Sequence, residues 1–153
     1  MADLAPPRAI AGITSFRDHA GLLHALAAHF GAPAPETQAW VTAGSVTLSC
    51  LAPGRYLAST APSPDFVQSL VQRFAGLAAI TDQSDQWVVF TGVSRDTLAR
   101  IVPIDLRPAT LPPGRLALTT AGHFNLRLWC LQAGYEVAAP RSLAQDLKHA
   151  LHG

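Results

Sequence analysis

Residues 103 to 114 read Pro-Ile-Asp-Leu-Arg-Pro-Ala-Thr-Leu-Pro-Pro-Gly, four prolines in twelve positions. Each proline fixes φ and removes a backbone donor, so no helix or sheet interior runs through this stretch. It is expected as a long, stiff crossing loop. The rest of the chain must then fold as short elements around it.

Other prolines and glycines cut the remainder into such elements. Residues 1–14 are rich in Ala and Pro without periodicity and are expected as a loose tail. From Ser15 the spacing of Phe16, Leu23, Leu26, Ala27 and Phe30 predicts a helix, with Ser15 and Asp18 at capping-box spacing and Gly31 as its stop. Gly31-Ala-Pro-Ala-Pro-Glu36 follows as a linker. The expected organisation is therefore an extension over 1–35 (tail, helix and Pro-rich linker) and a domain over 36–153.

Within that domain, Val46, Leu48 and Cys50 alternate with small polar residues, and Ala52-Pro53-Gly54 supplies turn chemistry. A hairpin over 45–60 follows. Ser63-Pro64-Asp65 is a helix start, with Ser63 as cap, and Phe66, Val67, Leu70, Val71 and Phe74 form one apolar face ending at Gly76. Ala78–Asp82 and Gln86–Gly92 read as two strands joined by the polar turn Gln83-Ser84-Asp85. Trp87 reads as core. Ser94 caps a short helix whose inner face is Leu98, Ile101 and Val102, closed by Pro103. Beyond the proline-rich loop, a strand over 115–120 leads to a second one, His123–Leu131. In it Phe124, Leu126, Leu128 and Cys130 face one way, and His123, Asn125, Arg127 and Trp129 the other. Ala133-Gly134 turns the chain into Tyr135–Ala138, and a final helix from Pro140 carries Leu143, Leu147 and Leu151. Short turns between strands imply a mostly antiparallel sheet with helices packed on it, an α+β fold. Leu51-Ala-Pro-Gly-Arg55 and Leu111-Pro-Pro-Gly-Arg115 nearly repeat, a weak hint of duplication.

Charge bears on partners. Charged residues are 14% of the chain and hydrophobic ones 49%, with a mean hydropathy of +0.22; a typical soluble domain has roughly 25% charged residues. So little charge predicts that part of the surface is covered by something else. A membrane is not expected to be that cover, because no apolar run approaches a spanning length of about 18 residues. The N-terminus lacks the basic-then-apolar pattern of a signal peptide, and a cytoplasmic location is expected. The eleven basic residues are scattered and net charge is +1, which gives nucleic acid no footprint. A permanent protein partner remains.

The residues that carry chemistry do not assemble in sequence. His19, His24 and His29 are five apart and so do not share a helix face, while His149 and His152 lack further ligands. Asp82, Asp85, Asp96 and Asp105 fall in turns, caps or loops. Cys50 and Cys130 are expected as small buried hydrophobes rather than a disulfide. Phosphate, dinucleotide, nucleophile-elbow and zincin motifs are missing. No catalytic, cofactor-binding or metal-binding residue is expected in this chain. Trp129 is expected to pack beneath helices, with an interface anchor as the alternative.

Residues 36–153 resemble the gamma subunit of heterotetrameric sarcosine oxidase and, more distantly, the folate-binding aminomethyltransferases that include the glycine-cleavage T-protein. The resemblance rests on Leu51-Ala-Pro-Gly-Arg-Tyr-Leu57, Thr81-Asp-Gln-Ser-Asp-Gln-Trp87, Pro103-Ile-Asp-Leu-Arg-Pro108 with Pro113-Gly114, and Tyr135-Glu-Val with Pro140-Arg-Ser142. It implies an aminomethyltransferase-type α+β domain and a non-catalytic structural subunit of an amine oxidoreductase. FAD, FMN, NAD and tetrahydrofolate would sit on partner subunits, chiefly a large alpha-type chain. The substrate would be sarcosine or a related secondary amine. A stand-alone folate-binding or one-carbon-transfer protein and a small adaptor domain stay open as alternatives.

Overall fold

The computed structural model describes residues 2–153. The chain is α+β and divides into two compact units. The N-terminal unit is Pro7–Ser84; the C-terminal unit is Asp85–Gly153 together with the chain up to Pro6.

The N-terminal unit runs β2 (Ala9–Ser15), α1 (His19–Phe30), β3 (Trp40–Ala43), β4 (Val46–Ala52), β5 (Arg55–Thr60), α2 (Phe66–Arg73) and β6 (Ala78–Asp82). Its antiparallel sheet has the order β3-β4-β5-β2-β6. Ala11 and Ile13 of β2, Leu48 and Cys50 of β4, and Tyr56 and Ala58 of β5 form a core with Leu22 and Leu26 of α1, Leu70 of α2 and Phe74 at the C-terminal end of α2. Each fully buried leucine there contributes about 1.5–3 kcal/mol.

The C-terminal unit takes β1 (Asp3–Leu4) from the chain start. It continues with β7 (Trp87–Val93), α3 (Arg95–Ala99), β8 (Leu116–Ala121), β9 (Phe124–Cys130), β10 (Tyr135–Pro140), a 3-10 turn over Arg141–Leu143 and α4 (Ala144–His152). Its antiparallel sheet has the order β1-β7-β10-β9-β8. Val88, Phe90, Leu126, Leu128 and Val137 pack with Leu98 of α3 and Leu147 and Leu151 of α4.

Read from the far edge, the second order is β8-β9-β10-β7-β1, which reproduces the first strand for strand. Each unit is strand, helix, three-strand meander, helix and a fifth strand beside the first. Local details repeat too. Asp18 and Ser94 cap the first helix of each unit with side-chain oxygens, and Leu22 and Leu98, four residues on, are fully buried. Thr42-Ala43-Gly44 and Thr120-Ala121-Gly122 make the same two-residue hairpin, with Gly44 and Gly122 at φ 61° and 59°. Gln38 N–H donates to the Cys50 carbonyl and Cys50 N–H to Ala39; Gly114 N–H donates to Cys130 and Cys130 N–H to Arg115. Cys50 lies opposite Tyr56, and Cys130 opposite Tyr135. The matching Leu-x-Pro-Gly-Arg segments are not equivalent: Ala52–Arg55 turns β4 into β5, whereas Pro113-Gly114 enters β8.

Several expectations are corrected. Of the expected tail over 1–14, Met1 lies outside the described residues, and residues 2–14 are not a tail, because they hold β1 and most of β2, which is paired on both sides. Ala9–Ile13 is buried throughout, so both faces are apolar and no period of two shows. The compact units accordingly part after Ser84 rather than after residue 35, since β2 and α1 belong to the same core as β4 and β5. Helix α1 starts at His19 with Asp18 as cap, because Ser15 is still paired to Ala78; Phe16 is left 52% exposed. Ser63-Pro64-Asp65 turns into α2 without a side-chain cap. Strands β6 and β7 exist as expected but are not a hairpin. One pairs with β2, the other with β1 and β10, and the turn between them joins the two units. The 45–60 hairpin, the capped short helix, the irregular 103–114 loop and the closing meander and helix stand as expected.

Candidate functional site

Strand alternation builds the most distinctive surface of the C-terminal unit. Leu126, Leu128 and Cys130 of β9 face α3 and α4, so Asn125, Arg127 and Trp129 face away. On β7, Val88 and Phe90 enter the helix-side core, which turns Trp87 to the same outer face as Arg127. Trp87 is thus half-buried rather than core, and Trp129, though buried, lies on the face away from the helices. Both outcomes correct the sequence reading.

Between β7 and β9 runs β10, where Ala138 is opposite Arg127 and Pro140 is opposite Trp87. Ala138 is too small to obstruct, and the Arg127 guanidinium reaches across to lie 3.8 Å from the Trp87 ring centroid. Such a contact at a partly exposed site stabilises by about 0.5–1 kcal/mol. The pair closes one end of a groove of about 430 Å³ that continues along Asn125 of β9 and Leu118 and Thr120 of β8. Arg127 is the one ionisable residue in its lining. The groove therefore sets a cation beside apolar groups, and its lining has no nucleophile–base couple. Nothing local in the sequence pointed to it: Trp87 and Arg127 are forty positions apart, and only the β7-β10-β9 order unites them.

The other reactive groups are dispersed. Both cysteines are buried thiols. Burial pushes each above its ordinary range, against smaller opposing hydrogen bonds that include Tyr56 at Cys50 and Tyr135 at Cys130. At neutral pH they are protonated and poor nucleophiles. Burial also pushes the Tyr56 phenol up to about 12, with Cys50 adding to the shift. The Tyr135 hydroxyl donates to the Leu106 carbonyl, pinning the proline-rich loop to its sheet.

In that loop Asp105 accepts from the Arg107 guanidinium and backbone and from the Thr110 hydroxyl. The Arg107 hydrogen bonds hold the carboxyl well below its usual range. This is a turn lock on the surface. Asp82 accepts from the Ser84 N–H, Asp96 lies in the first turn of α3, and the Asp85 carbonyl accepts from Arg141. His29 sits edge-on to Phe30 and Phe74; burial, and secondarily the charge of Arg73, lowers its pKa. His19 lies 3.4 Å from the Ser15 hydroxyl, and His149 and His152 occupy the last turn of α4. Among the described residues no three of His, Cys, Asp and Glu converge on a metal-sized site, and no helix is long and apolar enough to cross a membrane.

The fold thus defines a class: an α+β chain of two like-ordered five-stranded antiparallel sheets, each with helices on one face. Among solved structures, a chain of the heterotetrameric sarcosine oxidase from Corynebacterium sp. U-96, determined in complex with pyrrole 2-carboxylate, has this fold. The TM-score is 0.84 at 19% identity, over 99% of this chain and 80% of that one. No protein-family model matches the sequence, and no curated protein matches it.

Proposed function

We propose that this chain is a non-catalytic structural subunit of a flavin-dependent amine oxidoreductase of the sarcosine oxidase type. The observation that carries the proposal is the fold likeness along nearly the whole chain to a component of a heterotetrameric sarcosine oxidase. The sequence resemblance over residues 36–153 and a charged content of 14% support it. The dispersal of the acids, thiols and imidazoles fits a scaffold better than an active centre. Oxidation of sarcosine or a related secondary amine, together with FAD, FMN, NAD and tetrahydrofolate, falls in this reading to a large alpha-type subunit and its companions.

The test is purification of the tagged chain from its source cells under native conditions. The expected result is a stoichiometric complex with a large chain carrying flavin absorbance and amine-dependent reduction. Recovery of the chain alone, without flavoprotein, overturns the proposal. Calorimetry of the isolated chain with tetrahydrofolate separates the alternative: saturable binding would favour a stand-alone folate protein.

A further inference from the structure

The β7 side of the C-terminal sheet is covered by residues 2–5, and the cover is slight. β1 pairs at Asp3 and Leu4 only, opposite Thr91 and Phe90. The Ala5 N–H adds a bond of 2.8 Å to the Val89 carbonyl, and the Thr91 hydroxyl donates to the Asp3 carbonyl at 3.4 Å. Of residues 2–5 only Ala2 enters the core of this unit, and Leu4 is 59% exposed. In the N-terminal unit the matching edge, that of β2, is paired along five residues of β6. A segment with few ladder bonds and little buried apolar area opens first, at a cost below that of unfolding. Residues 2–5 fit that description and β6 does not.

Opening uncovers a strand suited to pairing. The bond from Ala5 to Val89 sets the alternation, so the backbone groups of Val89 and Thr91 point to this edge. Trp87 to Thr91 reads Trp-Val-Val-Phe-Thr, five β-branched or aromatic residues with no charge and no proline. The ladder to β10 shifts register only beyond Phe90, where Gly92 has φ 68°. Uncharged strands of this kind pair with their own copies, because antiparallel pairing puts no like charges opposite each other. The closed sheet offers no such edge here. β1 is two residues long, carries Asp3 and runs into Pro6 and Pro7, and short length, charge and proline are the means by which proteins blunt an edge.

We infer that residues 2–5 are an autoinhibitory cover, which closes the β7 edge and so keeps this chain from pairing with a second copy, β7 against β7. The second copy is the occupant of the opened edge because β7 is its own complement in length, charge and side-chain type. Closing and pairing exclude each other, since both use the outward backbone groups of Val89 and Thr91. The cover acts within one chain and stands whether or not the subunit reading does.

The test opens the cover in the full chain. Ala2→Asp puts a charge where the core takes a methyl group, so residues 2–5 leave β7 rather than bury it. Hydrogen exchange at the Val89 and Thr91 amides, at low protein concentration, reads the opening; sedimentation across a concentration series reads the association. If the open fraction rises about tenfold, the apparent dissociation constant of the pair should fall about a hundredfold, because both copies must open. The photo-crosslinker benzoylphenylalanine, placed at Thr91 of the opened chain, should attach to Trp87–Val93 of a second copy. Adding Thr91→Lys to the opened chain instead, a charge on the pairing edge, should return it to monomer. Ala5→Pro, which removes the bond to Val89 and leaves Ala2 in place, serves if Ala2→Asp does not fold. A cover that stays shut in both variants, an opened chain that remains monomeric, association indifferent to Thr91→Lys, or an adduct outside β7 overturns the inference.

Discussion

The two units share one plan and finish it differently. In Pro7–Ser84 the fifth strand, β6, follows α2 directly and pairs along five residues of β2. In the C-terminal unit the same place is held by β1, which arrives from the other end of the sequence and pairs at only Asp3 and Leu4. The first helix has twelve residues in one unit and five in the other. The central meander, its Gly hairpin and its Cys–Tyr pair persist, while edges and helices vary. The interior strands are constrained by ladders on both sides and by the core; an edge or a helix end answers to fewer neighbours.

The sharpest way to break this comparison is in the meander. Leu48 and Leu128 each lie two residues before the cysteine and are fully buried. Truncation to Ala should cost about 2–5 kcal/mol in each unit, measured by urea denaturation. A large cost at one site and almost none at the other would show that the shared plan is not shared support. Next, deletion of residues 1–6 removes β1 and the buried Ala2. The expected loss is about 1–3 kcal/mol. Hydrogen exchange should accelerate at the β7 amides facing β1 and stay slow where β2 meets β6. Equal acceleration in both strands would contradict the assignment of β1 to the C-terminal unit.

The smallest effect is electrostatic. His29 has a lowered pKa in the folded chain, from an ordinary 6.5, chiefly because it is partly buried. The unfolded chain therefore takes up this proton first. Stability is full above pH 6.5, falls as the pH drops below it, and finishes falling once the folded imidazole is itself protonated. His29→Gln should flatten that part of the unfolding profile, by a modest amount because the ring is largely solvated. Helix α3 stops at Ala99 and offers no counterpart in the other unit. An unchanged profile would remove His29 as its cause.

Much of the molecule was legible in advance wherever local chemistry dictates local shape. Pro53-Gly54 turned its hairpin, Ser94 capped its helix, and the alternation of Leu126, Leu128 and Cys130 assigned a face. Beyond reach were features with no local signature. Ala9–Ser15 hid as a tail because a strand buried on both faces has no alternation. Trp87 passed for core because the choice between the two faces of β7 depends on which residues α3 and α4 cover.

The sequence by itself determined the class of element, the α+β composition, the proline-rich crossing and the scatter of reactive groups, since these depend on φ limits, side-chain period and residue inventory. Only the tertiary structure decided that β6 and β7 part company, that the chain start completes the second sheet, and that Arg127 reaches across β10 to Trp87. Those outcomes depend on pairings between residues up to nearly ninety positions apart. Such pairings are chosen by the burial of the whole sheet, and no window of neighbours contains that information.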